Sequence, residues 1–170
     1  MVDRPDTVSR MAKALAPFAM GLFGVFIVAM PVRFFDDLIP MPIIPLAVIF
    51  FWTLHDPGRL PSSSVFLIGL FQDCVTGTPI GLWSTVYLLV QFVVLSQRSY
   101  FLGRDFQVVW MGFGLAASGA AIVIWVIMSL MSGVQLPVVP LVFQLAATIL
   151  FYPVLGQTFK GLRRRVLMEV

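Results

Sequence analysis

The sequence predicts an all-α integral membrane protein, a bundle of six transmembrane helices with both termini in the cytoplasm. Three observations lead to this class. Of the 170 residues, 59% are hydrophobic and only 11% are charged, and the mean hydropathy is +0.98. The apolar residues form six runs, and the basic residues between the runs are unevenly distributed. A soluble domain of this size has no interior large enough for so much apolar surface, so lipid is the expected solvent.

The six apolar runs define the expected spans, since about 20 apolar residues cross ~30 Å of hydrocarbon. They cover residues 18–30, 41–54, 62–75, 79–96, 106–131 and 137–159. No small-x-small cleavage site follows the first run, which is therefore interpreted as an uncleaved span. The second and third runs are short. We expect short or broken spans there, because the alternative, a re-entrant hairpin, places His55, Asp56 and Arg59 near mid-bilayer at several kcal/mol each.

The orientation follows from the basic residues in the loops. With the N-terminus in the cytoplasm, ten of the eleven basic residues lie inside and Arg33 alone lies outside. Such a bias over short loops is a strong positive-inside signal. The inner residues are Arg4, Arg10, Lys13, Arg59, Arg98, Arg104, Lys160, Arg163, Arg164 and Arg165. The excess of positive charge therefore indicates anionic lipid headgroups as partners rather than nucleic acid.

The inventory of reactive side chains is small. His55 is the only histidine, and the single cysteine, Cys74, excludes an intramolecular disulfide and offers no metal cluster. We expect Cys74 to be a small buried apolar residue. No HExxH, GxSxG or P-loop pattern occurs. Catalysis is disfavoured on this inventory, and no cofactor or metal is expected.

One acid stands out at the outer end of the third run. Asp73 precedes a glycine-rich turn that contains Gly77 and Gly81, and the dipole of its own helix opposes its charge. Either N–H groups of the turn or the side chains of Gln72, Thr76 or Thr78 are expected to compensate. Thr78-Pro79 is predicted to be the N-cap and first position of the fourth helix. Asp73 is interpreted as organising the turn, with a partner-binding or proton-relay role as the alternative.

The fifth run contains a stripe of small residues. Gly112, Ala116 and Ala120 recur every four residues, a spacing that lets helix backbones approach closely in lipid. Packing inside the bundle is the first interpretation, and docking of another protein's helix is the second. Gln91 and Gln144 are predicted to make interhelical hydrogen bonds as buried amides.

Three motifs follow one another in the first half of the chain: Trp52-Thr53-Leu54-His55-Asp56-Pro57, Gly69-Leu70-Phe71-Gln72-Asp73 and Gly77-Thr78-Pro79-Ile80-Gly81-Leu82. Near the end stand Tyr152-Pro153 and the basic Arg163-Arg164-Arg165. In these motifs, and in length and span layout, the chain resembles the rod shape-determining protein MreD family. The specific part of the resemblance runs from Trp52 to Leu82, and Gly69, Asp73, Gly77, Pro79 and Gly81 are its candidate structural or partner-binding residues.

The resemblance implies a non-enzymatic scaffold of the bacterial cell-elongation complex in the inner membrane. The implied partners are an MreC-like bitopic protein, an MreB-like actin homologue and the RodA/penicillin-binding-protein synthase. The implied fold is similar to the substrate-binding subunits of vitamin (ECF-type) transporters, and a fold likeness carries no function by itself. Two alternatives stay open: a small-ligand-binding subunit of a transporter, which needs a polar pocket at the outer face, and an intramembrane enzyme, which needs converging polar groups.

Overall fold

A computed structural model describes residues 5–30, 41–133 and 137–167, with side chains described for residues 15–30, 41–133 and 137–158. Throughout these residues the chain is helical, with no strand and one short 3-10 turn at Pro57–Arg59. The helices are α1 Pro5–Ala29, α2 Ile44–His55, α3 Ser62–Thr76, α4 Leu82–Phe101, α5 Phe106–Ser132 and α6 Val138–Leu167. The predicted helical class is confirmed. Arg33, the one basic residue expected outside, lies outside the described residues.

The central element of the bundle is α2. It contacts α1, α4, α5 and α6, and ten of its 12 residues are buried. A helix that is apolar on every side is stable only with neighbours all round, which is the environment that α2 has. Pro45 stands in its first turn, where a missing N–H removes no hydrogen bond. The helix ends before Pro57, and Asp56 makes an ion pair of 2.8 Å with Arg59 in the turn that follows.

Helices α3 and α4 cross at close range because of one glycine. A Cβ atom on Gly69 would lie 2.4 Å from Cα and 2.5 Å from the backbone N of Ser84. Backbone atoms cannot move aside as a flexible side chain can, so only glycine fits at this crossing. The Ser84 hydroxyl adds a hydrogen bond of 3.2 Å to the Phe66 carbonyl across the same contact.

A hydrogen bond near a proline of α6 connects helices α5 and α6. Pro153 lies inside α6 and has no N–H, so the Ile149 carbonyl four residues earlier lacks its intrahelical donor. The indole Nε1–H of Trp110 on α5 donates to that carbonyl at 2.9 Å. The proline is thus tolerated because a side chain of the neighbouring helix supplies the missing donor.

An aromatic cluster ties the middle of α6 to α2 and α5. The ring of Tyr152 stacks on Phe113 with centroids 4.1 Å apart, and it meets Phe50 edge-on at 5.7 Å. Phe50 and Phe113 also meet edge-on, at 5.2 Å. All three side chains are buried, and both geometries are favoured by the quadrupoles of the rings.

Several predicted boundaries need correction. The first helix begins at Pro5 rather than Phe18, and the fourth ends at Phe101 rather than Ser96. The fourth helix begins at Leu82 rather than Pro79, because the left-handed backbone of Gly81, with φ 97°, separates it from the preceding turn. The second helix begins at Ile44 rather than Met41. The sixth continues to Leu167, through the basic tail. The third and fifth helices differ from the predicted spans by no more than one residue at either end.

Two of the described helices, α5 and the part of α6 from Val138 to Thr158, are long and apolar enough to cross a membrane. At 1.5 Å per residue, α2 and α3 are about 18 and 22 Å long, well short of ~30 Å of hydrocarbon.

Candidate functional site: the Asp73 turn

The Asp73 carboxylate joins the end of α3 to the start of α4; residues 73–83 are termed the Asp73 turn. Asp73 lies in the last turn of α3 and is buried. Its Oδ1 accepts hydrogen bonds from the Thr78 hydroxyl at 2.9 Å and from the Trp83 N–H at 3.0 Å. Its Oδ2 accepts one from the Gly81 N–H at 2.8 Å. Both kinds of donor expected from the sequence, backbone N–H groups of the turn and a nearby hydroxyl, therefore reach this carboxylate.

The position of the carboxylate explains how an acid is stable at the end of a helix. The dipole of α3 opposes its charge, but its oxygens lie against the first N–H groups of α4. Those N–H groups have no partner within their own helix, and the dipole of α4 favours an anion at that point. Asp73 therefore caps α4 from the preceding helix, with hydrogen bonds strengthened by its charge.

The roles of Thr78 and Pro79 differ from the prediction. Neither begins α4; both lie in the turn, where the Pro79 carbonyl accepts the Leu82 N–H at 3.1 Å. The predicted N-cap role of Thr78 is wrong because Gly81 is the N-cap residue, and the Asp73 carboxylate accepts the N–H groups there. Gly77, with φ 69°, ends α3 in the left-handed conformation that glycine adopts without strain. The two glycines on either side of Thr78 and Pro79 thus set the path of the turn.

Next to the carboxylate lies a second buried polar pair. The Tyr87 hydroxyl donates to Oε1 of Gln72, and both side chains are buried. The Gln72 Nε2 and the Trp83 Nε1 are buried donors without a hydrogen-bond partner. Thr76, the other side chain considered from the sequence, donates to the Gln72 carbonyl at 2.7 Å rather than to Asp73.

Side chains of α4 also donate hydrogen bonds to backbone carbonyls near the turn between α2 and α3. The Gln91 amide donates to the Leu60 carbonyl at 2.9 Å, and Nε of Arg98 donates to the Leu54 carbonyl at 3.0 Å. Both carbonyls lie at or after the end of α2, where no residue of the helix follows to supply a donor. The predicted buried amide of Gln91 is confirmed, whereas the role of Arg98 was missed because its basic charge indicated only topology.

The amide of Gln144 and its neighbour Thr148 connect α6 to the start of α2. Gln144 Nε2 donates to the Met41 carbonyl at 3.2 Å, and the Thr148 hydroxyl accepts the Ile43 N–H at 3.0 Å. Gln144 therefore bonds between segments, but its amide is half-buried rather than buried, and its acceptor Met41 lies just before α2 rather than in a helix. Thr148 was missed, although a hydroxyl one helical turn after Gln144 lies on the same face.

The small-residue stripe of α5 faces α4 of the same chain. A Cβ atom on Gly112 would lie 2.4 Å from the Phe101 ring, and Ala120 is buried. Ala116 is half-buried and packs against the core. The prediction of a partner helix on this stripe is therefore corrected at Gly112 and Ala120, which face the last residue of α4 and the bundle interior. The three stripe residues also line an apolar groove between α4 and α5. The first interpretation, packing inside the bundle, describes these positions.

The candidate residues thus form two groups. Gly69 and the Asp73 turn lie together where α3 meets α4, whereas the stripe lies on α5. Cys74, expected to be buried, is exposed, because it lies on the side of α3 away from its buried neighbours Gln72 and Asp73. His55 lies at the end of α2 with Nδ1 2.9 Å from the Phe51 carbonyl. Among the described residues, no three His, Cys, Asp or Glu side chains are placed to hold a metal ion.

Comparison with family models, with curated proteins and with solved structures finds no match to this chain. The resemblance carried by residues 52–82 therefore stays a hypothesis drawn from the motifs, as does the likeness to vitamin-transporter subunits.

Proposed function

We propose that this chain is a non-enzymatic membrane scaffold of the bacterial cell-elongation complex. It regulates cell shape and lateral peptidoglycan synthesis by holding partner proteins rather than by catalysis. In this proposal it spans the inner membrane six times with both termini in the cytoplasm. Its first partner is an MreC-like bitopic protein, and an MreB-like actin homologue and the RodA/penicillin-binding-protein synthase belong to the same assembly.

The observation that carries the proposal is that residues of the motifs make close contacts and hydrogen bonds within the fold. Gly69 permits a close crossing of α3 and α4, and Asp73 and Gly81 are bonded to each other across the turn. Trp52, the first residue of the motifs, is fully buried in α2. Residues of the motifs that resemble MreD thus take part in the packing of α2, α3 and α4, and this structural use supports the resemblance.

The surface of α5 and α6 supports the membrane part of the proposal. Leu115 and Leu130 on α5 are each 78% exposed, and Val139 and Leu150 on α6 are 65% and 68% exposed. Large apolar side chains along two long helices need lipid or another protein around them. Basic residues at one end, including Arg98 and Arg104, agree with the positive-inside orientation.

Co-purification tests the function. A tagged copy is expressed in a rod-shaped bacterium, extracted in mild detergent and analysed for bound proteins by mass spectrometry. We expect an MreC-like bitopic protein to be recovered, and depletion of the chain to change cell width. An unrelated six-span protein carrying the same tag is the control for non-specific recovery. Recovery of an energising ATPase module instead would replace the scaffold by the alternative, a small-ligand-binding subunit of a transporter.

A further inference from the structure

A cavity of about 150 Å³ opens at the end of the bundle where α2 ends, α4 passes into α5 and α6 continues past Pro153. Its apolar lining includes the rings of Phe51, Phe101, Phe106 and Tyr152. Its polar side chains are those of His55 and Arg104. The rings of Phe51 and Tyr152 are buried and Arg104 is exposed, so the cavity has an aromatic interior and a cationic mouth.

A glycine keeps the α6 wall of this cavity open. Gly156 lies one helical turn after Tyr152, and the nearest atom to a Cβ built on it would be Cε2 of Phe106, at 3.7 Å. That distance is an ordinary van der Waals contact, so alanine fits, whereas a longer side chain would enter the cavity. A space of about 150 Å³ is large enough for a molecule the size of benzene, which corresponds to a short segment of an acyl chain.

The charge at the mouth is held in place by neighbouring residues. The Arg104 guanidinium lies over the Tyr100 ring, 5.2 Å from its centroid, an attractive cation–π arrangement. Arg98 lies nearby in sequence at the end of α4, and its Nε is bonded to the end of α2. The basic residues of the tail follow Gly156 along α6: Lys160, Arg163, Arg164 and Arg165. Asp105 is the acid of the α4–α5 connection, and Asp56 at the end of α2 is paired with Arg59, so basic residues outnumber acidic ones in these segments of the sequence.

A second groove offers a matched comparison within the same chain. It lies between α4 and α5, has the same volume of about 150 Å³, and is lined by apolar residues such as Leu89, Leu115 and Gly119. No charged side chain is among its lining residues within the described chain. The two spaces therefore differ in charge and not in size.

We propose that the cationic cavity binds one anionic phospholipid, with a segment of an acyl chain between the aromatic rings and the headgroup phosphate at Arg104. The inference rests on the proposed membrane location, which puts this end of the bundle at the anionic cytoplasmic leaflet. A zwitterionic lipid has the same apolar segment, but its ammonium group opposes the attraction to Arg104. The cavity therefore distinguishes lipids by headgroup charge.

Native mass spectrometry of the full-length protein in mild detergent tests this site. Phosphatidylglycerol and phosphatidylcholine with identical acyl chains are added in equal amounts, and we expect one phosphatidylglycerol to be retained preferentially. Arg104→Gln should lower that preference about fivefold, the effect of one basic residue at an anionic surface. Gly156→Leu should abolish retention by filling the cavity, whereas Gly119→Leu, in the uncharged groove, should leave the preference unchanged.

Several outcomes overturn the assignment. Equal retention of the two lipids by the unaltered protein excludes a charge-selective site, and so does an unchanged preference in Arg104→Gln. If Gly156→Leu does not fold, Arg104→Gln decides alone, because its side chain is exposed. Displacement of the lipid by millimolar inorganic phosphate would identify a phosphate ion as the ligand. Failure of the proposed function is seen separately, as an ATPase module in the co-purification, since the lipid measurement needs no partner.

Discussion

Two regions of this molecule are equally apolar in sequence and are built in different ways. In helices α2, α3 and α4, the α2–α4 unit, the central helix α2 has ten of its 12 residues buried, against α1, α4, α5 and α6. In α5 and α6, the α5–α6 pair, the most apolar stretches are only 22% and 11% buried. Apolar composition in the first region thus serves packing within the chain, and in the second it covers an outer surface.

The polar contacts differ in the same way. In the α2–α4 unit a buried carboxylate, Asp73, accepts three hydrogen bonds, and Gln91 and Arg98 bond backbone carbonyls at the other end. Within the α5–α6 pair a single side-chain bond, from Trp110 to Ile149, links the two described helices. In lipid, close contact and hydrogen bonds hold helices together, because lipid tails are as apolar as the side chains. The α2–α4 unit is therefore expected to be the more stable region, and the following predictions test that difference.

The largest effect is expected at Asp73. Asp73→Leu leaves the Trp83 N–H, whose bond to Asp73 is buried, without its acceptor, and a buried unpaired donor costs about 1–3 kcal/mol. It also removes the charge-assisted bonds of the half-buried Thr78 and Gly81 donors. We expect a loss of about 3 kcal/mol or more in the free energy of unfolding, measured by denaturation in detergent. Asp73→Asn keeps one acceptor oxygen and should cost less. Equal stability of Asp73→Leu and the unaltered protein would show that the cap is dispensable.

The second effect concerns the crossing of α3 and α4. Gly69→Ala forces a Cβ atom against the Ser84 backbone and should destabilise the protein by about 1–3 kcal/mol, as overpacking does. The matched control is Gly119→Ala on α5, where no atom lies within 4 Å of the new Cβ. There the higher helix propensity of alanine should stabilise by up to about 1 kcal/mol. The same denaturation measurement compares both variants, and equal changes would remove the distinction between the two regions.

The third effect isolates the link between α5 and α6. Trp110→Phe removes the indole donor and should cost about 1–3 kcal/mol, because it leaves the Ile149 carbonyl unpaired. Pro153→Ala restores a backbone N–H to that carbonyl, so Trp110→Phe should cost less in the Pro153→Ala background. The coupling, expected to be at least about 0.5 kcal/mol, is measured with the double-mutant cycle. Additive costs would show that the bond between Trp110 and Ile149 contributes nothing to stability.

The smallest effect on stability is expected from the variants that test topology. Single cysteines at Ser132 or Asp36, on a Cys74→Ser background, should react with an impermeant thiol reagent on intact spheroplasts. Cysteines at Ser99 or Gly161 should stay unlabelled, because the charge bias places them inside. Labelling after membrane disruption controls for accessibility. Reaction at Gly161 from outside would reverse the orientation and move the lipid-binding end of the bundle to the other leaflet.

Much of the α2–α4 unit was accessible to sequence reasoning. The donors to Asp73 are within ten residues of it, and the third helix is bounded by Pro61 and Gly77, so local chemistry sufficed. The start of α4 was wrong because Thr78-Pro79 is a good local cap signal. In the structure, α4 starts later, because the Asp73 carboxylate of the preceding helix accepts the first N–H groups of α4 and Gly81 adopts a positive φ.

Contacts between residues far apart in the chain could not be predicted from the sequence. Trp110 and Ile149 are 39 residues apart, and Ile43 and Thr148 are 105 apart. Pro153 does indicate that the Ile149 carbonyl needs a donor, but many side chains are able to supply one.

The sequence by itself determined the helical class, the apolar runs, the charge bias between loops and the set of nearby groups from which the donors to Asp73 come. These depend on composition, period and near neighbours, which the order of residues contains directly. The tertiary structure decided that the stripe of Gly112 and Ala120 faces its own bundle, that Cys74 is exposed, and that Arg104 stands at the mouth of an aromatic cavity. Each of these depends on which helix lies against which face, and a helix that is apolar on several sides does not specify that choice until its neighbours are in place.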